Sequence, residues 1–314
     1  MIPALVLTAG LATRLRPLSL VRAKAAMPVA GEPIIRRILR QLRSAGVTDA
    51  VLNLHHLPQT IAGVVGDGSD VGIRVRYSWE MPVLGSAGGP RQALPLLDAR
   101  AFLIVNGDTL STVDIGALAS EHQRRGGLVT MAVVPNTRPE AYGGVLIDRE
   151  GAVTGFVRRG STVKSYHFIG IQVAEADAFT SLKPGTPAES VAALYPALIA
   201  SRPGSVRVSI SDADFGEIGT PADYLKTSLL VSKREGTAGR YGMRAHVDPT
   251  ARVEDSVLWD HVTVEAESML RECIVTDGAR IPAGTSWAGV TLRPADDVLA
   301  PGERRIGDLA VASL

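Results

Sequence analysis

The chain has 314 residues, 46% apolar and 21% charged, with 33 Lys and Arg against 32 Asp and Glu and a net charge of +1. That length carries one large domain plus a small one, and near-neutrality argues against a general nucleic-acid or membrane-surface binder. A single cysteine, Cys273, excludes an internal disulfide framework and a cysteine-based zinc cluster. No apolar run reaches the roughly 18 residues of a transmembrane helix, and Met1–Gly10 lacks the basic flank of a signal peptide, so a soluble cytosolic protein is expected.

Ala4–Leu7 is a short apolar run, and Thr8-Ala9-Gly10-Leu11-Ala12-Thr13 follows it with small residues. Arg14, Arg16, Arg22 and Lys24 come next, and no acidic residue precedes Glu32. An apolar strand, a loop with little side chain and a cluster of cations suit a polyanion: backbone N–H groups approach phosphate closely, and Arg and Lys neutralise it. The stretch is neither a Walker A loop, lacking Gly-Lys-Ser/Thr, nor the G-x-G-x-x-G dinucleotide fingerprint.

Residues 33–46 are predicted as a helix from the spacing of Ile34, Ile35, Ile38, Leu39 and Leu42, with Gly46 as its stop. Val51–Leu54 reads as a strand, and the adjacent His55 and His56 read as loop or capping residues rather than a metal pair. Residues 59–65 read as a helix and 73–77 as a strand. Leu84-Gly85-Ser86-Ala87-Gly88-Gly89 is a second small-residue loop, with a helix expected from Pro90, a residue suited to a first turn. Ala101–Val105 is an apolar strand running into Asn106-Gly107-Asp108-Thr109. Ligands of parallel sheets gather at the carboxyl ends of strands, so Asp108 is a candidate for holding a hard divalent ion; the competing reading is a helix cap. A helix is expected over 114–125 and a strand over 128–134. Alternation of strands and helices to this point implies a doubly wound α/β sheet. Strand-like segments at 141–145, 152–157 and 164–173, with few helices between them, imply an antiparallel extension, and 221–230 a closing helix.

After a polar segment, 232–243, read as a linker, a repeat of period 17 begins. RAHVDPTARVEDSVLWD (244–260) aligns with HVTVEAESMLRECIVTD (261–277) and GARIPAGTSWAGVTLRP (278–294), so that Val247, Val264 and Ile281 correspond, as do Val253, Leu270 and Trp287. An inward residue every six positions is the pattern of a β-solenoid. The expected domains are therefore 1–231, the 232–243 linker, a β-helix over 244–294 and a tail over 295–314 without a clear reading.

Leu-Thr-Ala-Gly-Leu-Ala-Thr-Arg-Leu-Arg-Pro-Leu-Ser, then Lys24 and Met27-Pro28-Val29, resembles the signature of the sugar-1-phosphate nucleotidyltransferases, G-G-x-G-T-R-L-x-P-L-T followed by P-K-P-M-P-V. Ala9 and Ala12 stand where glycines are usual, and Ala23 and Ala25 where prolines flank the lysine. Further similarities follow in the family's order: Leu84–Gly89 with L-G-T-A-G-A, Gly107-Asp108 with its G-D motif, Tyr142-Gly143 with Y-G-V, Phe168–Ile171 with F-x-G-I, and Phe215–Tyr224 with W-x-D-I-G-T-P-x-D-Y. The resemblance implies a Rossmann-like, mostly parallel sheet of the nucleotide-diphospho-sugar transferase type, an antiparallel extension over the sugar, and a short left-handed β-helix as in mannose-1-phosphate guanylyltransferases.

It also implies roles. Arg14 and Lys24 become the catalytic cations. Ala9, Gly10, Thr13, Glu80, Gly85, Ser86 and Gly88 become nucleotide-binding, Gly143 and Gly170 sugar-binding, and Asp108 and Glu217 ligands of Mg²⁺. Substrates would be a nucleoside triphosphate and a sugar 1-phosphate, with no nucleic acid or membrane partner, and the solenoid favours a homo-oligomer. Two departures bear on specificity and activity. Glu217 replaces the usual aspartate, and Phe156-Val157-Arg158-Arg159-Gly160 replaces F-x-E-K-P, leaving Arg158 as a solvated cation and Arg159 as a candidate phosphate contact. The base and sugar stay open between a mannose-1-phosphate guanylyltransferase and an N-acetylmuramate-1-phosphate uridylyltransferase, with glucose and heptose 1-phosphates also compatible. A catalytically silent nucleotide-sugar-binding regulator is the alternative of another class.

Overall fold

The computed structural model describes residues 2–237 and 241–314; residues 238–240, inside the segment read as a linker, lie outside the described residues. The chain divides into two compact units, one of Met1–Gly10 with Ile38–Gly216, the other of Leu11–Arg37 with Glu217–Leu314.

Among the described residues the first unit holds a nine-stranded sheet. Its strands are β1 (Ala4–Leu7), β2 (Asp49–Leu54), β3 (Arg74–Trp79), β4 (Ala101–Asn106), β5 (Val129–Pro135), β6 (Gly144–Ile147), β7 (Val153–Val157), β8 (Tyr166–Glu175) and β9 (Val206–Ile210). The order β7-β6-β8-β4-β1-β2-β3 runs across it, with β5 joined to β8 and β9 to β5. β1 lies parallel between β2 and β4. β8 turns the sheet antiparallel against β4 and β5, and the β6/β7 pair extends that half. The helices are α1 (Ile34–Ser44), which the boundary between the units crosses, then α2 (Pro58–Val65), α3 (Gly85–Leu97), α4 (Ile115–Arg125) and α5 (Tyr195–Ser201). Leu5, Val51, Phe102, Ile104, Met131 and Tyr195 are buried in one core with Ala87, Ala93 and Leu97 of α3.

Two expectations change. The strand read over 141–145 begins only at Gly144, because the Ala141 and Tyr142 N–H groups turn back onto the Arg138 carbonyl, 3.0 Å each. The segment read as a loop at 84–89 is the start of α3, so Pro90 and Pro95 are interior to a helix. Its first turns are completed by another segment: Ala87 and Gly88 N–H donate to the Ala188 carbonyl at 2.9 and 3.2 Å.

In the second unit, α6 (Pro221–Glu235) runs four residues into the segment read as a linker. Thr220 and Asp223 cap its start reciprocally, Asp223 N–H on Thr220 Oγ1 at 3.2 Å and Thr220 N–H on Asp223 Oδ2 at 3.0 Å. The period of 17 becomes coils of parallel strands. Val247 pairs with Val264 and Val264 with Ile281; Val253 pairs with Leu270 and Leu270 with Trp287; a third face pairs Leu258 with Val275 and Val275 with Leu292. These parallel strands are consistent with a left-handed β-helix. The third face was not read from sequence, because its inward residues follow the second face by five positions rather than six: Leu270 to Val275, then Ile281. The corners are left-handed. Arg244, His261 and Gly278 take positive φ at one, Glu267 and Gly284 at a second, and Asp255, Glu272 and Gly289 at a third.

The tail is folded. Leu309–Ser313 runs antiparallel along Val290–Pro294 and carries Leu309 and Val311 into the solenoid core, with Arg304–Ile306 on its outer side. Buried Arg293 grips Glu303 with two bonds of 2.6 Å.

Candidate active site

In the first unit the site is built at the carboxyl ends of β1 and β4. Leu7 is in register with Asn106, and Gly107 N–H donates to the Leu7 carbonyl at 3.0 Å. A Cβ on Gly107 would lie 2.7 Å from that carbonyl oxygen, so only glycine allows the two strand ends this approach. Thr8, Ala9 and Gly10 therefore stand beside half-buried Asp108, and Gly10 is exposed. Gly170, at φ +78°, abuts Asn106 and Thr109; its Cβ would lie 3.0 Å from Asn106 Nδ2.

A buried polar relay supports this floor, and sequence reasoning missed its centre, Asn53. Asn53 Oδ1 accepts from Thr8 N–H at 2.6 Å and Ala9 N–H at 3.3 Å, while its Nδ2 donates to Glu80 Oε1 at 2.7 Å. Glu80 Oε2 accepts from Leu84 N–H at 2.8 Å. Glu80 is 4% exposed and links the first loop to the entry of α3. His55 contacts the Glu80 carbonyl through Nδ1 at 2.9 Å, a structural contact like the one read for it.

The start of α3 is occupied by the chain itself. Ser86 Oγ donates to Glu189 Oε2 at 2.6 Å, and Cβ atoms on Gly85 and Gly88 would fall 2.5 Å from Glu189 Oε1 and 2.6 Å from the Thr186 carbonyl. The glycines at these positions thus answer to the packing of 186–189, and the N–H groups of Ala87 and Gly88 already have acceptors there.

Beside the antiparallel half, Tyr142, His167 and Phe215 form an aromatic cluster: Tyr142 stacks on His167 with centroids 4.1 Å apart, and His167 lies 5.0 Å from Phe215. Burial, partly opposed by a hydrogen bond to the Gly143 backbone, holds the His167 pKa below its ordinary value. Gly143, Arg158 and Arg159 are exposed.

In the second unit, exposed Arg14 lies on the single turn Thr13–Leu15, and Lys24 opens the turn Lys24–Ala26. A Cβ on Gly219 would lie 3.8 Å from Arg14 Nη1, so Arg14 is near the Ile218-Gly219-Thr220-Pro221 segment that Glu217 precedes. Among the described residues no three or more His, Cys, Asp or Glu side chains converge as a metal cage. Asp108 in the first unit and Glu217 in the second are each half-buried carboxylates, hard oxygen donors of the type a divalent ion takes.

Comparison with known proteins agrees in both units. Residues 3–234 match the family described as nucleotidyl transferase, and residues 239–294 the one described as GlmU-like, C-terminal hexapeptide. A mannose-1-phosphate guanylyltransferase of Mycobacterium tuberculosis is 27% identical over 90% of this chain and 82% of its own length. An N-acetylmuramate alpha-1-phosphate uridylyltransferase of Neisseria meningitidis is 44% identical over 116 residues, 36% of this chain and 50% of its own. HddC of Yersinia pseudotuberculosis has the same fold, with a TM-score of 0.65 at 22% identity over 74% of this chain and all of that one.

Proposed function

The chain belongs to the nucleotidyl transferase family, and from that premise we propose that it moves a nucleoside monophosphate from a nucleoside triphosphate to a sugar 1-phosphate, with GTP and mannose 1-phosphate as the pair. The observation that carries the reaction is the juxtaposition of the small-residue loop after β1 with Asp108 after β4, a phosphate cradle beside a hard-ion ligand. The near full-length similarity to a guanylyltransferase supports the substrate pair.

A sugar-phosphate oxygen attacks the α-phosphorus in line, the bond from that phosphorus to the bridging oxygen breaks, and pyrophosphate leaves. Positioning and charge stabilisation dominate such a transfer. Backbone groups at Ala9, Gly10 and Thr13 hold the nucleotide. Arg14 holds the leaving phosphates and Lys24 the reacting phosphate. Glu80, Gly85, Ser86 and Gly88 shape the nucleotide site from beneath, through the contacts that fix the first loop and α3. Gly143 and Gly170, with the Tyr142, His167 and Phe215 rings, bound the sugar. Asp108 and Glu217 would hold Mg²⁺, which when bound supplies charge neutralisation at the phosphates. Among the described residues no helix is long and apolar enough to cross a membrane; we place the protein in the cytoplasm, as a homo-oligomer.

A second reading, uridylyl transfer to N-acetylmuramic acid 1-phosphate, is favoured by the 44% identity over 116 residues. The regulatory alternative is weaker, because Arg14, Lys24 and Asp108 are all present. The test is pyrophosphate release across five nucleoside triphosphates and a panel of sugar 1-phosphates with Mg²⁺. Preference for GTP with mannose 1-phosphate supports the first reading, and preference for UTP with the muramic acid derivative the second. Binding of a nucleotide sugar with no release from any pair would establish the regulator.

A further inference from the structure

The loop that carries the two catalytic cations belongs to the same compact unit as the β-helix. Arg22, two residues before Lys24, is 8% exposed. Its Nε donates to Asp277 Oδ2 at 2.6 Å and its Nη2 to Asp277 Oδ1 at 2.7 Å and Asp260 Oδ2 at 2.5 Å. Its guanidinium carbon lies 5.5 Å from the centre of the Trp259 ring. Asp260 and Asp277 occupy the same position in successive coils, in the turns after the parallel-paired strands Val257–Leu258 and Ile274–Val275, and strands so paired lie about 4.8 Å apart. One planar guanidinium reaches both. The corresponding residue of the next coil is Pro294, so the acidic pair has two rungs. Neighbouring backbone fixes the carboxylates: Met243 N–H donates to Asp260 Oδ1 at 2.6 Å and Asp260 N–H to Asp277 Oδ1 at 3.1 Å.

The far end of the same loop rests on the same coil. Trp259, fully buried, donates from Nε1 to the Tyr224 hydroxyl at 2.8 Å, and that hydroxyl donates to the Pro28 carbonyl. Lys24 thus lies between two anchors, Arg22 and Pro28, that converge on Trp259. Here Lys24 is flanked by Ala23 and Ala25, residues with no ring to restrict the backbone, and Ala23 nonetheless sits at φ −56°, inside the range a proline ring would impose.

We propose that the β-helix is a working part of the catalytic loop, in which Arg22, gripped by Asp260 and Asp277 and laid on Trp259, is a positioning residue for Lys24. The role of Lys24 rests on the nucleotidyl transfer proposed above, whereas the clamp itself does not. It is tested in the full chain with a charge-free variant, Arg22→Met with Asp260→Asn and Asp277→Asn, which leaves no uncompensated buried charge, alongside Arg22→Lys and Tyr224→Phe. Hydrogen exchange at the Ala26 and Met27 amides is expected to quicken on the order of tenfold in the charge-free variant and less in Arg22→Lys, with solenoid amides such as Val264 unchanged. The kcat for pyrophosphate release is expected to fall on the order of 10- to 100-fold, with KM for the nucleoside triphosphate within about threefold, and Arg22→Lys to recover part of the loss. Unchanged exchange at Ala26 and Met27 overturns the clamp whether or not the wild-type chain turns over. Faster exchange with kcat within about twofold of wild type overturns the positioning of Lys24. A wild-type chain silent with every substrate pair overturns the functional reading and leaves the exchange result to decide the clamp.

Discussion

Ala12 sits at φ 48° and ψ 42°, the left-handed region where a Cβ meets its own carbonyl. Residue size alone, which is what the sequence shows of this loop, overlooks backbone strain, which depends on φ and is invisible in composition. Ala12→Gly is expected to raise stability by up to ~1 kcal/mol, the relief of strain being partly offset by the freedom glycine adds to the unfolded chain; the urea midpoint measures it. Lys24→Ala is expected to lower kcat by at least about 100-fold, the scale of losing one preorganised charge at a developing anion, with an unchanged circular dichroism spectrum. Retained turnover in that variant would remove Lys24 from the mechanism. Arg14, Lys24 and Asp108 could be nominated from sequence because their residue types stand in a recognisable order. Asn53 and Arg22 were not, since each works through a partner 27 to 255 positions away that sequence does not pair with it.

At the scale of elements, most helices and strands of the first unit were legible from periodicity, but α5 and β9 were not read at all. α3 starts earlier than its proline suggests because segment 186–189 supplies acceptors for its first N–H groups, a tertiary contact that overrides turn chemistry. Gly89 makes this testable. Its Cβ would fall 2.7 Å from Glu80 Oε1 and 2.9 Å from Asn53 Nδ2. Gly89→Ala is expected to cost about 1–3 kcal/mol by breaking a buried hydrogen bond, whereas Gly155→Ala, with nothing within 4 Å, should leave the thermal midpoint nearly unchanged. The solenoid's period was legible but its third face was not, because the step from six to five residues breaks the pattern at a corner. Those corners carry glycine in the third coil and bulkier residues before it. Gly284→Ala, with open space around its Cβ and φ +69°, is expected to destabilise by about 1 kcal/mol through conformation alone, again read from urea midpoints.

For the molecule as a whole, acid should be felt first in the unit that holds the sheet. Burial, only partly opposed by Glu175, keeps the His122 pKa below 6.5, and burial lowers His167 likewise. Both bind protons more weakly folded than unfolded. Their contribution to stability is therefore complete above pH 6.5 and is lost as pH falls from there through the depressed folded values. The thermal midpoint should drop between about pH 7 and 5, and His122→Gln should flatten that drop. A midpoint that does not move across that range would count against both histidines. The division into two units was the least legible feature, because Leu11–Arg37 leaves the strand it follows in sequence to join a structure that begins only at Glu217. The turned-back strand Leu309–Ser313 has a consequence of another kind. A parallel ladder is a template: its open rung can accept an identical strand from a neighbouring molecule, and so on without limit. Along Val290–Pro294 that rung is filled by a strand of opposite polarity, and the outer neighbour Arg304–Ile306 is three residues long and carries two arginines. On this face the solenoid holds its own terminator, which guards a concentrated solution against fibre growth.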